Sequence, residues 1–144
     1  MIDIWQFQFS LTRRLMLWSV GSILLGLGML LFRTLFWNGL AFQFIAWGGI
    51  DLLIAWGGMT GTRKRRAKLT EEQAAAAIPQ ETRKLRRILW INTGLDVLYV
   101  LGGALLALFQ RSQALWLGTG LGIVIQGSFL FFFDWLHARQ LPKV

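Results

Sequence analysis

Residues 49–58 read GIDLLIAWGG, and residues 94–103 read GLDVLYVLGG. Each stretch is apolar enough for lipid, yet each carries one aspartate near its middle. Extended in both directions, they become mostly apolar spans over 39–59 and 88–109. Two more spans, 15–32 and 114–136, complete a set of four. Crossing the ~30 Å hydrocarbon layer takes roughly 20 mostly apolar residues. Backbone groups in lipid must pair within their own segment, so all four spans are expected to be helices. No alternating polar pattern supports a β-barrel.

Composition points the same way. Of 144 residues, 55% are hydrophobic and 15% charged, with a mean hydropathy of +0.51. A soluble domain carries about 25% charged residues. The absence of cysteine excludes disulfides, thiol catalysis and thiolate metal sites, and the single His137 excludes a multi-histidine metal or haem site within one chain. No Walker loop, metal-ligand spacing or Ser/His/Asp arrangement is present. LGTGLG, residues 117–122, opens an apolar helix and reads as helix packing, not as a phosphate loop. Accordingly no catalytic residue, metal or cofactor is assigned.

Charge sets the expected topology. The net charge is +8, and nine of the fifteen Lys and Arg residues lie between Arg63 and Arg87. An even number of spans puts both termini and this segment on one side, together with Arg13, Arg14, Arg139 and Lys143. Only Arg33 and Arg111 fall on the other. Positive residues concentrate on the cytoplasmic side, so both termini and the basic loop are expected there. Flanked by apolar spans, the basic run suits a lipid surface and not nucleic acid. Arg63, Lys64, Arg65, Arg66, Arg83, Lys84, Arg86 and Arg87 are candidate contacts for anionic headgroups, at ~1 kcal/mol each. The bland alternative is that they only fix the topology.

The expected architecture is an all-α integral membrane protein, a four-transmembrane-helix bundle in a single domain over 1–144. Its helices cover about 11–34, 38–59, 80–109 and 113–138, with a basic cytoplasmic loop over 60–85. MIDIWQFQFS reads as a short interfacial segment with Trp5 at headgroup level, and Ser10 as the N-cap of the first span. In the loop, Thr70-Glu71-Glu72-Gln73 is a capping-box pattern that opens a short helix, which Pro79 should stop. Most of the eight tryptophans fall at the two interfaces as an aromatic belt, Trp47 excepted.

The aspartates are the candidate site. At 1.5 Å per residue, Asp51 and Asp96 both lie roughly 3–4 Å to the cytoplasmic side of the mid-span. A lone aspartate there costs roughly 2.5–3.5 kcal/mol to insert. Gly48, Asp51, Ala55 and Gly58 share one helical stripe; Asn92, Asp96, Tyr99 and Gly103 share another. Small residues mark faces of close helix approach, so both acids should face inward. Two inward carboxylates cannot both ionise cheaply, and the pair could hold one proton or one cation. Gln43, Asn92, Tyr99 and Gln126 could complete a polar cavity.

Gly122, Gln126, Leu130 and Asp134 form a further stripe on the fourth span, with His137 three residues on. Asp134 lies roughly 13 Å from the mid-span and pairs with His137 as a secondary polar site near the interface. Gly39-x3-Gln43-x7-Asp51-x3-Ala55 also matches Gly122-x3-Gln126-x7-Asp134-x3-Ala138. The opening pair, by contrast, would run in opposite directions through the bilayer, as inverted repeats do around transporter sites.

Three functional classes follow. The first is a protein that binds or transports a proton, a cation or a small cationic ligand at Asp51 and Asp96. The second is a non-catalytic membrane subunit or scaffold, whose Gly- and Trp-rich faces and buried acids dock partner helices. The third, least favoured, is a lipid-directed enzyme using Asp134 and His137 as acid and base. The expected partners are the lipid bilayer, anionic headgroups, and a second copy or a membrane partner subunit. The expected location is the plasma (inner) membrane of a prokaryote.

Overall fold

The computed structural model describes residues 3–143. Those residues form four long helices and no strand. They are α1 (Ile4–Met29), α2 (Leu35–Ala67), α3 (Glu71–Phe109) and α4 (Ala114–Gln140), and a single 3-10 turn, Leu30–Phe32, follows α1. Each helix contains a window long and apolar enough to cross a membrane. The helices pack in the order α1, α2, α4, α3: α1 along α2, α2 along α4, and α4 along α3. The row is bent, so that α1 and α3 also meet, narrowly. α2 and α3 are not packed along each other.

Local sequence explains most of the helix ends. Asp3 caps α1, its carboxylate accepting from the backbone N–H groups of Trp5 and Gln6 at 2.9 and 3.3 Å. Arg33 closes the 3-10 turn in the left-handed region (φ 52°), and Thr34 caps α2. Thr70 and Gln73 form the expected capping box, which opens α3 itself and not a separate short helix.

Three expectations differ from the structure. First, the N-terminal segment is not a separate interfacial piece, and Ser10 lies inside α1. Ile4 and Trp5 are buried against Ala74, Leu89, Ala138 and Leu141, and the Trp5 Nε1–H donates to the Ala74 carbonyl. Burial of these side chains against three elements outweighs exposure at a headgroup surface. Ile2 lies outside the described residues. Second, α2 runs past the apolar span to Ala67, with Lys64, Arg65 and Arg66 in its last turn, where positive charge favours the helix C-terminus. Third, α3 continues through Pro79. Pro79 and Ala75, whose carbonyl loses its helical donor there, are both exposed, so water can serve that carbonyl. The expected 60–85 loop is thereby reduced to residues 68–70.

A polar network ties the basic end of the bundle. Gln8 Oε1 accepts from Thr62 Oγ1 (2.6 Å) and from Arg65 (3.4 Å), while Gln8 Nε2 donates to Glu81 (3.2 Å). Arg65 also pairs with Glu81 at 3.5 Å.

Candidate functional site

Glycines set the height at which the helices meet. A Cβ on Gly118 would collide with the Phe36 carbonyl of α2, and one on Gly122 would lie 2.7 Å from Gln43 Cβ. Such contacts lock α4 beside α2, running parallel. Gly122 lies opposite Gln43, so Asp134, twelve residues further along α4, lies level with Ala55, one turn from Asp51. The antiparallel α3–α4 seam uses Gly103 against Gly120 and Ile123, and Gly127 against Val100. Continuing that register brings Asp134 level with Asn92, and Leu130 level with Asp96.

The result is one cavity of about 250 Å³, walled by all four helices. Asp51, Asp96 and Asp134 line it together with Asn92, Trp47 and Tyr99. The three acids are 3%, 4% and 8% exposed, respectively. Trp47 and Tyr99 meet edge-to-face with centroids 4.9 Å apart, bridging α2 and α3. Leu15, Ile54 and Leu130 supply apolar wall.

One oxygen of Asp51 and one of Asp96, Oδ2 in each case, are buried without a hydrogen-bond partner. Buried polar atoms are paired in the great majority of cases, so two orphans on residues that line one cavity mark it as a place for something else. No three acidic or histidine side chains among the described residues stand close enough to share one metal ion. The carboxylates thus surround a space and do not converge on a point.

A second cavity of about 330 Å³ adjoins the first, sharing Leu15, Ile54, Asn92 and Asp134 with it. It extends to the basic end, where Gln8, Thr62, Arg65 and Lys84 line it. Asn92 and Asp134 therefore stand where the two cavities adjoin. Together the cavities extend from the tied end of the bundle to Asp51 and Asp96.

The remaining sequence candidates divide. Asn92 and Tyr99 line the acidic cavity. Gln126 does not: it is fully buried, its amide donating to Ser22 Oγ (2.8 Å) and its carbonyl accepting from Trp18 Nε1 (3.3 Å). Ser22 in turn donates to the Phe44 carbonyl at 2.9 Å, so this chain of bonds joins α1, α2 and α4. Trp18 also stacks on Phe129 and is more than a lipid anchor. Gln43 is buried against Gly122, outside the cavity.

Asp134 and His137 face different neighbours. His137 Nδ1 lies 2.6 Å from the Phe133 carbonyl and donates to it, leaving Nε2 to accept from Arg14 at 3.2 Å. Both ring nitrogens are thus occupied away from the acids. Asp134 joins Asp51 and Asp96, an association that the matched Gly-x3-Gln-x7-Asp-x3-Ala pattern signals and that depth counting hides. Trp47, the one tryptophan set inside a span, was the sequence signal for the aromatic wall.

Of the eight candidate lipid contacts, Arg65 and Arg66 are engaged with Glu81 and Glu71. Arg83, Arg86 and Arg87 make no ion pair among the described residues.

Over residues 14–135 the chain matches the model of a family of unknown function, DUF6992, and it belongs to that family. No curated protein matches the chain, and no solved structure does.

Proposed function

We propose that this chain is a multi-pass membrane protein that binds a proton, a cation or a small cationic ligand in its acidic cavity and passes it across the bilayer. The observation that carries the proposal is the pair of unpartnered, buried carboxylate oxygens on Asp51 and Asp96. If the acids served only to glue helices, those oxygens would be expected to accept bonds from neighbouring helices. Instead the hydrogen-bonded glue of this bundle is elsewhere, at Gln126, Ser22 and Trp18. Carboxylates spread around about 250 Å³, with an aromatic wall, suit protons on water or an organic cation better than a bare metal ion.

Orientation follows from charge. Both termini and the basic end lie in the cytoplasm under the positive-inside rule, which puts the route through Asn92 and Asp134 on the cytoplasmic side. Access from the opposite side has to pass Trp47 and Tyr99, and their separation is the natural gating step. A second copy of the chain, beside the unpacked faces of α2 and α3, would complete the wall.

Flux into liposomes tests the proposal. The purified protein is reconstituted with a pH-sensitive dye inside, under imposed gradients of protons, Na⁺, K⁺ and simple alkylamines. Wild type is expected to dissipate at least one of these gradients. Asp51→Asn and Asp96→Asn should each slow it at least tenfold while the thermal midpoint in detergent stays within a few degrees. Folded variants with wild-type flux would sink the proposal, as would a wild type that moves none of the probes.

A further inference from the structure

The basic residues of α3 are not equivalent. Arg83, Arg86, Arg87 and Trp90 follow the spacing i, i+3, i+4, i+7 and therefore stand on one helix face. With Pro142, from the segment after α4, they enclose a pocket of about 160 Å³. Leu141 is buried in the core beside Leu89 and Trp5, which fixes Pro142 as one wall of that pocket. No acidic residue lines it. The Nε of Arg86 is buried and has no hydrogen-bond partner. By contrast, Arg65 and Arg66 are occupied by glutamates.

We propose that this pocket binds the phosphate headgroup of an anionic membrane lipid, with Arg86 as its central donor. A guanidinium presents its Nε–H and a terminal N–H as a fork that matches two phosphate oxygens. Arg86 lines the pocket with its Nε–H unsatisfied, and two more arginines line it alongside, so half of that pairing is already in place. Position along α3 identifies the lipid as the source. Counted from the middle of the third span near Leu98, Trp90 lies roughly 12 Å out and Arg86 roughly 18 Å out, which is headgroup depth for a ~30 Å hydrocarbon layer. Toward the bilayer centre the same side of α3 continues through Ile91, Gly94 and Leu98. Ile91 and Leu98 are exposed, and Gly94 has nothing within 4 Å of where a Cβ would stand. That leaves a shallow apolar track on which an acyl chain can lie. A free phosphate ion would use the arginines and ignore the track. The site is separate from the acidic cavity and rests only on the helices crossing a bilayer.

Native mass spectrometry in detergent tests the assignment, with dioctanoyl phosphatidylglycerol titrated against dioctanoyl phosphatidylcholine and against inorganic phosphate. Wild type is expected to bind the glycerol lipid saturably and at least tenfold more tightly than either alternative. The triple variant R83Q/R86Q/R87Q should lose that preference, whereas R63Q/K64Q/K68Q, with the same loss of charge, should keep it. Arg86→Lys is the decisive variant, because it keeps the charge and removes the fork. It should weaken binding several-fold, and it remains available if the triple variant fails to fold. Equal weakening in the two triple variants, or wild-type affinity in Arg86→Lys, would reduce the site to diffuse surface charge and overturn the proposal. Inorganic phosphate binding as tightly as the lipid would overturn the lipid assignment.

Discussion

Gly48 and Gly49 are neighbours in sequence and opposites in packing, which makes alanine at each a sharp test of the seam that sets the height of Asp51. A Cβ on Gly48 would stand 2.8 Å from Ile23 Cγ1 and 2.9 Å from the Ser19 carbonyl oxygen of α1. The isoleucine can turn, but the carbonyl is backbone, so α1 and α2 must separate by several tenths of an ångström. Overpacking of this kind costs about 1–3 kcal/mol. Around Gly49 nothing lies within 4 Å, so a methyl group there meets only the surroundings of the bundle. Removing glycine from a helix interior stabilises by up to ~1 kcal/mol. The gain shrinks toward zero where the detergent-unfolded chain keeps its helices. Gly48→Ala should therefore lower the thermal midpoint by several degrees, and Gly49→Ala should leave it unchanged or raise it slightly. The same contrast should recur at Gly103 and Gly102: a Cβ on Gly103 would lie 2.8 Å from the Gly120 carbonyl oxygen, and one on Gly102 would meet nothing. Differential scanning fluorimetry of the four variants in one detergent decides the matter. Equal shifts at Gly48 and Gly49 would refute the α1–α2 seam, and equal shifts at Gly103 and Gly102 would refute the α3–α4 register from which the cavity was built.

Two further expectations separate the polar groups by role. Asp134→Asn should slow flux in the liposome assay about as much as Asp51→Asn does, since Asp134 stands at the junction of the two cavities. His137→Ala should leave flux intact and cost about 1–2 kcal/mol of stability through the lost Arg14 and Phe133 contacts; the reverse pattern would revive the acid–base pair. Gln126→Ala should be among the most destabilising single changes, at roughly 2–4 kcal/mol in thermal unfolding, because it strands the Trp18 Nε1–H, removes the bond to Ser22 and opens a void in a fully buried position. A midpoint near wild type would show that this network is dispensable.

The sequence made the spans and the inward faces legible because apolar length and helical spacing are local properties. Gly48, Asp51 and Ala55 are all buried on α2, as is the whole stripe of Gly122, Gln126, Leu130 and Asp134 on α4. Relative height and neighbourhood are not local. Depth counting from the apolar boundaries separates Asp134 from Asp51, whereas the glycine contacts at Gly118 and Gly122 slide α4 along α2 until the two acids are one turn apart. Likewise, the stripes gave no sign that α4 would stand between α2 and α3. Asp51 and Asp96 consequently face each other across a space and do not touch. At the basic end the hidden fact was tertiary: only packing against Ala74 and Leu141 turns Ile4 and Trp5 from an interfacial segment into core.

Two likenesses within the chain compete to explain the site, and the packing discriminates between them. The antiparallel pair, GIDLLIAWGG and GLDVLYVLGG, orients its residues alike: Asp51 and Asp96 are buried, and Gly49 and Gly94 are open. Its packing glycines nevertheless meet different elements, Gly58 touching Thr12 of α1 and Gly103 touching α4. The parallel pattern holds at every position. Gly39 and Gly122, Gln43 and Gln126, Asp51 and Asp134, and Ala55 and Ala138 are all buried, on two helices that pack along each other in the same direction. Each of those helices is in turn covered by the one that precedes it in the chain, α1 on α2 and α3 on α4. With glycine at the seam and aspartate a fixed twelve residues beyond it on both helices, any sliding of α4 along α2 changes the spacing of the acids and the glycine contacts together. The acid spacing is therefore as rigid as the tightest packing in the molecule. The proposed role of the cavity requires that stiffness, because a carboxylate free to move would find a neighbour's N–H and close the orphaned oxygen.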